Sequence, residues 1–365
     1  MGHQSPSTNH QSPGFGSRLI AWQRTHGRHD LPWQNTRDPY RIWLSEIMLQ
    51  QTQVAAVIPY YQRFLARFSD LRSLAAASED DVLAHWSGLG YYARGRNLHR
   101  AAQLIVEQHA GIFPCDFDAV CALPGIGRST AAAICVFAFG TREAILDGNV
   151  KRVLARHEGI AGFPGDKSVQ DQLWRRAEAL LPEADLESYT QGLMDLGAGL
   201  CVRRRPLCQA CPVAGTCVAQ RDGLTERLPS PRPAKALPER ETTMLILMSH
   251  GEVLLEKRPA PGIWGGLWCF PEAATDNVAC VAGRLGVELR SVTALAPVDH
   301  GFTHYKLRIH PMLGEALRQP RAQEPGLLWL SLDDALGAAL PAPVKRILTQ
   351  LRRSLVGAFS LQAAG

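Results

Sequence analysis

Four cysteines lie within seventeen residues of this sequence, in the segment CVRRRPLCQACPVAGTC. The spacing C-x6-C-x2-C-x5-C suits a tetrahedral metal ion or a cubane iron–sulfur cluster, bound by Cys201, Cys208, Cys211 and Cys217. Structural zinc sites usually have two short C-x2-C arms, whereas this segment has one, which disfavours zinc without excluding it. Three consecutive arginines, beginning at Arg203, lie in the first long loop. The segment therefore predicts a metal or cluster site that carries positive charge.

Two carboxylates lie in surroundings that suit acid–base chemistry. Glu46, in WLSEIMLQQTQV, is flanked by apolar residues, and partial burial would raise its pKa and suit a proton donor. A surface glutamate is an equally good interpretation of this local pattern. Asp147, in ILDGNVKRVLAR, precedes Lys151 and Arg152, whose charges would keep it ionised and able to face developing positive charge. The default role for an aspartate before Gly-Asn is a helix cap.

The segment LPGIGRSTAAAI predicts a tight turn that opens a helix of small residues. Gly125 and Gly127 permit a turn whose backbone N–H groups point outward and can bind a phosphate. A plain corner between two helices explains the same pattern.

Polar and aromatic residues elsewhere suit contacts with nucleic acid. Gln51 and Thr52 offer uncharged hydrogen-bonding groups. In GLGYYARGRNLHRA, Tyr91 follows a Gly-Leu-Gly bend and precedes Arg94, a combination that suits base stacking and phosphate contact. Core tyrosines beside solvated arginines remain the alternative.

The elements that must position these residues change type along the chain. Apolar residues recur at helical spacing from about residue 18 to 218, in many short helices. A proline-rich, mixed-charge stretch then predicts an extended linker, and TTMLILMS and EVLLEKR, separated by His-Gly, predict a hairpin in a separate α+β domain. The predicted divisions are a disordered tail at 1–17, a helical domain at 18–221, a linker at 222–240 and a second domain at 241–365.

Bulk composition limits the classes of function. The chain has 365 residues, nine cysteines and a formal charge of +5, which favours two domains and leans towards an anionic partner. It shows neither an export signal nor an apolar run long enough to span a bilayer. We therefore expect a reducing compartment, no disulfides, and no membrane partner.

Taken together, WLSEIMLQQTQV, GLGYYARGRNLH, LPGIGRSTAAAI, LDGNVKRVL and the four-cysteine segment resemble the helix-hairpin-helix base-excision glycosylases. More narrowly, they are similar to the adenine DNA glycosylases of the MutY type, over nearly the whole chain. The resemblance implies a mostly α amino-terminal half with an iron–sulfur cluster domain, and a separate α+β Nudix-like carboxy-terminal domain. It implies a [4Fe–4S] cluster on the four cysteines, with Arg203 directed towards the DNA backbone.

A serine in the hairpin helix distinguishes between members of this superfamily. Endonuclease III-type relatives carry a lysine that forms a Schiff base and supports strand cleavage. The matching residue here is Ser129, whose hydroxyl cannot form an imine. The resemblance therefore favours hydrolysis without an efficient lyase step.

The carboxy-terminal domain resembles Nudix hydrolases but lacks most of their acidic metal ligands. Gly266 and Glu272 keep the first spacing of that motif, whereas the following CVAGRLGV has no acidic residue, so Mg²⁺ has too few ligands. By resemblance the domain recognises 8-oxoguanine opposite adenine, through Phe302, Thr303 and His304.

The resemblance also assigns roles to the other residues. Glu46 protonates N7 of the flipped adenine and then activates water, and Asp147 stabilises the oxocarbenium-like sugar. Asn149 and Ser129 orient the sugar and Asp147. Gln191 and Asp195 contact the adenine edge, although a structural role for that pair is nearly as good an interpretation. The implied DNA contacts are Gln51, Thr52, Tyr91, Arg94, Gly125, Gly127, Lys151 and Arg203.

The function implied by the resemblance is removal of adenine paired with 8-oxoguanine or guanine in double-stranded DNA, leaving an abasic site. We expect a monomer in the cytoplasm of a bacterium, associated with the nucleoid. Two alternatives are a bifunctional endonuclease III-like enzyme acting on oxidised pyrimidines, and a non-catalytic DNA-binding or electron-transfer protein.

Overall fold

The computed structural model describes residues 14–233, 236–260, 262–273, 277–317 and 325–362, with side chains of the last helix described as far as 354. Residues 1–13 of the predicted tail lie outside the described residues, and the first helix begins within the predicted tail, at Phe15. The described residues form two compact units that do not follow chain order. The first, the helical unit, contains residues 14–61 and 104–233, and the second contains residues 62–103 and those from 236 onward.

The helices, in chain order, are α1 Phe15–His26, α2 Pro39–Leu49, α3 Val54–Arg67, α4 Leu71–Ala76, α5 Glu79–Trp86, α6 Ala93–Gln108, α7 Phe117–Cys121, α8 Arg128–Phe139, α9 Gly148–His157, α10 Lys167–Ala179, α11 Leu186–Asp195, α12 Val218–Arg221, α13 Val278–Arg284, α14 Leu332–Gly337 and α15 Ala342–Gln362. Short π and 3₁₀ turns at Leu196–Leu200, Cys208–Ala210 and Ala214–Thr216 follow α11.

Aspartates start several of the helices that matter for function. Asp38, Asp116 and Asp147 each accept a hydrogen bond from a backbone N–H in the first turn of α2, α7 and α9. Such caps satisfy N–H groups that have no partner within the helix. The apolar faces of α1, α8, α9, α10 and α11 then form one buried core in the helical unit.

The strands of the second unit are β1 Glu239–Ser249, β2 Glu252–Lys257, β3 Trp268–Cys269, β4 Glu272–Ala273, β5 Leu289–Ala294, β6 Val298–Gly301, β7 Lys306–Ala316 and β8 Leu327–Ser331. Among the described residues they form one sheet in the order β3-β2-β1-β7-β5, with β4 paired to β1, β6 to β7 and β8 to β2. The long β1–β7 pair is parallel and the other pairs are antiparallel.

The predicted hairpin is confirmed. β1 and β2 pair with Met248 opposite Val253, and the connecting His250 and Gly251 have φ values of 51° and 83°. Positive φ at both central residues matches the twist of a two-residue hairpin turn.

The predicted extended linker is wrong for its first half. Leu228 is buried, and the backbone N–H of Ser230 donates to the carbonyl of Gly162 (3.2 Å) in the helical unit. The prediction rested on proline content, and it missed the apolar side chain that fixes residues 224–230 against the helices.

Candidate active site

Helix α2 carries Glu46 in a partly buried position. Asp38 caps the helix by accepting from the backbone N–H of Tyr40 (2.9 Å), and Pro39 has the fixed φ that suits a first helical residue. Burial, and to a smaller extent the charge of Asp147, raises the pKa of Glu46 to about 8. The Glu46 carboxyl group is therefore protonated at neutral pH and able to donate a proton.

Asp147 faces the same region from the start of α9. Its Oδ1 accepts a hydrogen bond from the backbone N–H of Val150 (2.7 Å). Burial raises the pKa of Asp147, whereas backbone N–H donors and the charges of Arg152 and Lys151 act in the opposite direction. Burial therefore favours the protonated form of both carboxyl groups, and the backbone donors and cations around Asp147 partly offset this effect for Asp147.

The hairpin between α7 and α8 positions Ser129. Gly125 has a φ of 79°, in the left-handed region that favours glycine, and Gly127 is the residue before α8. Ser129 lies in the first turn of α8, where its Oγ accepts from the backbone N–H of Leu146 (2.9 Å). Ser129 thereby fixes the residue immediately before Asp147.

Asn149 is held by an arginine that the sequence analysis treated only as a charge. The Nη2 of Arg152 donates to Oδ1 of Asn149 (2.9 Å) and to the carbonyl of Gly197 (2.6 Å). The Nε of the same side chain donates to the carbonyl of Cys201 (2.7 Å). Arg152 thus joins the start of α9 to the cysteine segment. Its contact with Asn149 could have been predicted from the sequence, because the two residues lie one helical turn apart.

A cavity of about 490 Å³ adjoins Glu46 in the helical unit, a size typical of sites for small molecules. Its lining includes Arg28, Trp33, Phe137 and Gln191. The lining is mixed, with seven apolar or aromatic residues and thirteen polar or charged ones. Aromatic side chains that can stack, together with many hydrogen-bonding groups, suit a planar heteroaromatic ring. Sequence reasoning missed Arg28 and Trp33, which lie in RHDLPWQ between α1 and α2.

Asp195 lies behind this cavity and does not line it. Its carboxylate is buried and accepts from the backbone N–H of Arg28 (2.9 Å), from Nε of Arg28 (2.7 Å) and from Nε2 of Gln191 (2.8 Å). These three donors hold the Asp195 carboxylate in place, which gives Asp195 a positioning role. The contacts of Asp195 and Gln191 with adenine stay predictions, and of the two residues Gln191 is the one that lines the cavity.

The four cysteines of the segment lie around one cavity in the helical unit, and all four are free thiols. Among the described residues, no three His, Cys, Asp or Glu side chains are arranged to hold a metal ion. An iron–sulfur cluster spreads its thiolates over the corners of a cube, so thiols around a shared cavity fit a cluster better than a tight single-ion group.

Arg156 is a buried arginine that organises this segment. Its Nη1 donates to the carbonyl of Val202 (2.7 Å) and contacts Sγ of Cys201 (3.4 Å). Its Nη2 donates to the carbonyl of Arg203 (3.1 Å), and its Nε to that of Leu228 (2.8 Å). A buried guanidinium needs several acceptors and nearby negative charge, which deprotonated cysteines would supply. Sequence reasoning missed Arg156 because its partners lie more than forty residues away.

In the second unit, Tyr91 lies on an exposed bend with a φ of 48°, and 45% of its surface is exposed. The guanidinium of Arg94 lies 5.5 Å from the ring centroids of both Tyr91 and Trp86, and its Nη2 donates to the carbonyls of Leu89 and Gly90 (3.2 Å each). Arg94 is buried, so the predicted phosphate contact is wrong for this residue. Arg94 instead fixes the bend that presents Tyr91.

Most of the other predicted DNA contacts are accessible in the helical unit. The exposed members are Gln51, Gly125, Gly127 and Arg203, and the partly exposed members are Thr52 and Lys151. Gln50, which precedes Gln51 in the sequence, donates from Nε2 to Oγ1 of Thr130 (3.3 Å) and joins the end of α2 to the hairpin.

The predicted lesion-recognition residues follow β6 in the second unit. Thr303 and His304 are exposed. The backbone N–H of Phe302 donates to the carbonyl of Tyr305 (2.8 Å), and the two rings stack with centroids 4.6 Å apart. Trp264 packs against Phe302 at 5.4 Å. The loop therefore has an aromatic base from which a hydroxyl and an imidazole project.

In the second unit, the glutamate that remains of the Nudix-like acidic motif, Glu272, forms an ion pair with an arginine. Oε1 of Glu272 lies 2.6 Å from Nη1 of Arg258, and α13 supplies no carboxylate. The ion pair therefore occupies the one glutamate of the motif that the sequence analysis found in place.

Comparison with known proteins agrees with this geometry. Residues 44–179 match the HhH-GPD superfamily of base excision DNA repair proteins, and residues 242–350 match the NUDIX domain. An adenine DNA glycosylase of Buchnera aphidicola subsp. Acyrthosiphon pisum is 36% identical over 93% of this chain and 98% of its own length. A human adenine DNA glycosylase is 33% identical over 91% of this chain and 73% of its own length.

A solved thermostable thymine-DNA glycosylase is 30% identical, with a TM-score of 0.52, over 57% of this chain and 95% of its own. The predicted fold class, a helical glycosylase part with a separate Nudix-like domain, is confirmed. Within the described part of the chain, no helix is long and apolar enough to cross a membrane.

Proposed function

Because the chain belongs to the adenine DNA glycosylases, we propose that it removes adenine paired with 8-oxoguanine or guanine in double-stranded DNA. The reaction is hydrolysis of the N-glycosidic bond, it leaves an abasic site, and it has no efficient lyase step. The observation that carries this proposal is the position of Glu46, which lines a cavity that suits a heteroaromatic ring and whose pKa is raised by burial and by the charge of the nearby Asp147.

In the proposed mechanism the adenine leaves the base stack and enters the cavity that Trp33 and Gln191 line. Glu46 transfers its proton to N7 of adenine, which makes the base a better leaving group. The bond from the sugar C1′ to N9 then breaks, and its electron pair leaves with the base. The carboxylate of Asp147 stabilises the positive charge on the sugar.

The now ionised Glu46 accepts a proton from water as that water attacks C1′, which restores the acid and yields the abasic site. Ser129 and Asn149 keep Asp147 and the sugar in place. Ser129 cannot form an imine with the sugar, so the bifunctional endonuclease III-like alternative lacks its nucleophile at this position.

We assign the four cysteines to a [4Fe–4S] cluster that acts as a structural support. Cys201, Cys208, Cys211 and Cys217 would hold it, and Arg156 would fix the first long loop, so that the exposed Arg203 faces phosphate. In the same proposal Gln51 and Tyr91 enter the duplex beside the lesion, and Phe302, Thr303 and His304 contact 8-oxoguanine. The protein acts as a monomer on DNA in a bacterial cytoplasm.

A gel assay tests the function. Duplexes carrying adenine opposite 8-oxoguanine, guanine or thymine are incubated with the iron-containing protein and analysed with and without alkali. We expect alkali-dependent cleavage of the adenine strand for the first two duplexes only. Glu46→Gln should abolish cleavage and retain binding. Strand cleavage without alkali at the rate of base loss, or cleavage of duplexes with oxidised pyrimidines only, would contradict the proposal.

A further inference from the structure

A basic groove lies beside Tyr91 in the second unit, with a volume of about 310 Å³. One wall is the backbone at Gly88, and the other is one face of α15. That face carries Lys345, Thr349 and Arg353 at spacings of four residues, which aligns their side chains along the helix. We call this feature the α15 groove.

Among the described residues, the cations Lys345 and Arg353 of the α15 groove have no carboxylate partner. Lys345 and Arg353 are exposed, and within the described residues neither forms an ion pair with Asp or Glu. Arg346, at the edge, donates to the backbone carbonyl of Asp299 (3.0 Å). By contrast, Arg352 on the same helix pairs with Asp333 (3.1 Å). The cations that face the groove are therefore available to an anionic partner.

The two walls are held together by buried hydrogen bonds. The carbonyl of Leu340, just before α15, accepts from Oγ of Ser87 (3.0 Å) and from the hydroxyl of Tyr92 (2.9 Å). Ser87 and Tyr92 are buried, and they flank the bend that presents Tyr91. The groove thus has a fixed place relative to Tyr91.

We propose that the α15 groove binds the phosphate backbone of the duplex next to the lesion, with Lys345 and Arg353 as phosphate contacts. The proposal rests on the proposed function, in which Tyr91 enters the duplex. Gly88 is three residues from Tyr91, so it lies within about 10 Å along the chain. DNA phosphates of one strand follow each other by about 3.4 Å of rise. The groove is therefore within about three nucleotide steps of Tyr91. Two exposed cations without carboxylate partners suit a phosphate group, which is the same whatever the DNA sequence.

The salt dependence of DNA binding tests this inference. Binding to fluorescent duplexes with adenine opposite 8-oxoguanine, guanine or thymine is measured by anisotropy between 50 and 300 mM KCl (about the range in which counterion release is resolved). All proteins carry Glu46→Gln, so that the substrate is not consumed. The variants are Lys345→Ala with Arg353→Ala and, as the matched control, Arg352→Ala.

Each phosphate contact contributes a slope of about 0.9 in log K against log salt, so the double variant should lower the slope by about 1.8. Extrapolated from 1 M salt, this is a loss of roughly 60-fold in affinity at 0.1 M. The loss should be equal on the three duplexes, and Arg352→Ala should keep the parent slope. An unchanged slope in the double variant, or an equal loss in Arg352→Ala, overturns the inference. Adenine release by proteins with intact Glu46 is measured in parallel, so that failure of the proposed function is seen separately.

Discussion

Replacing Glu46 by glutamine should stabilise the folded protein, and the gain should grow with pH. Burial and the neighbouring Asp147 raise the pKa of Glu46 from its ordinary value of 4.5 to about 8. Because the folded-state pKa lies above the unfolded value, Glu46 is protonated in both states below pH 4.5, and there it does not reduce the free energy of unfolding. Stability is then lost as the pH rises from the unfolded towards the folded pKa. Glutamine keeps the shape of the protonated acid and does not titrate, so it should not show this loss.

The magnitude follows from linkage. At pH 5.5 the shift costs the wild type about 1.4 kcal/mol, and at pH 8.5 it costs about 4.6 kcal/mol. The advantage of Glu46→Gln should therefore increase by at most about 3 kcal/mol between these pH values. Water in the adjoining cavity and relaxation of the protein screen the charge, so we expect an increase of about 1.5 to 3 kcal/mol.

The assay is urea unfolding, followed by far-ultraviolet circular dichroism under anaerobic conditions, at pH 5.5 and 8.5. Glu187→Gln is the control, because Glu187 also lines the cavity but its side chain is 44% exposed and pairs with Arg37. That variant removes a carboxylate at the same cavity that is exposed and ion-paired, so it shows how much of any effect arises without burial. If the advantage of Glu46→Gln is the same at both pH values, Glu46 does not have a raised pKa, and its role as the proton donor loses its physical basis.

Four further outcomes are expected. Single-turnover adenine release should fall tenfold per pH unit above about pH 8, because the protonated Glu46 carboxyl group is the reactive form, and it should also fall in acid, where Asp147 loses its charge. A rate that keeps rising above pH 8 would contradict this. Asp147→Asn should reduce release at least about a hundredfold, yet it should not lower the free energy of unfolding measured in urea, because asparagine caps helices as well as aspartate and does not carry the charge that burial disfavours. Arg156→Met should lower the iron content and destabilise the protein by about 3 kcal/mol, measured by iron assay and urea unfolding, whereas the exposed control Arg221→Met should do neither. Thr303→Val should reduce the preference for adenine opposite 8-oxoguanine over adenine opposite guanine by roughly tenfold or more, because adenine release opposite 8-oxoguanine becomes slower. Equal losses of the single-turnover rate on both mispairs would place lesion recognition elsewhere.

To test which domain removes adenine and which recognises the lesion, point variants of the full-length protein are better suited than truncation. The carbonyl of Leu340 in the carboxy-terminal domain binds Ser87 and Tyr92. Removal of everything after Arg240 would therefore remove the carbonyl that binds Ser87 and Tyr92 on either side of Tyr91, and would alter both lesion recognition and the bend.

The sequence by itself determined the features that are encoded locally. The cysteine spacing, the hairpin glycines around Gly125, the capping aspartate at Asp147 and the β1–β2 turn depend on residues within a few positions of one another. Local backbone geometry and helix capping act over that range. The order of these motifs was enough to predict the family and the fold class, which the comparisons confirm.

The tertiary structure decided everything that depends on partners far apart in the chain. Asp195 has a positioning role that its local pattern does not show, because Arg28, 167 residues away, binds its carboxylate. The buried side chain of Arg94 donates to a carbonyl of its own bend. The buried side chain of Arg156 donates to backbone carbonyls beyond residue 200. Nothing in the local pattern distinguishes a solvated charge from a buried one, because burial and hydrogen-bond partners are set only when distant segments pack. The same packing brings α15 beside Gly88 and creates a groove that neither segment reveals alone.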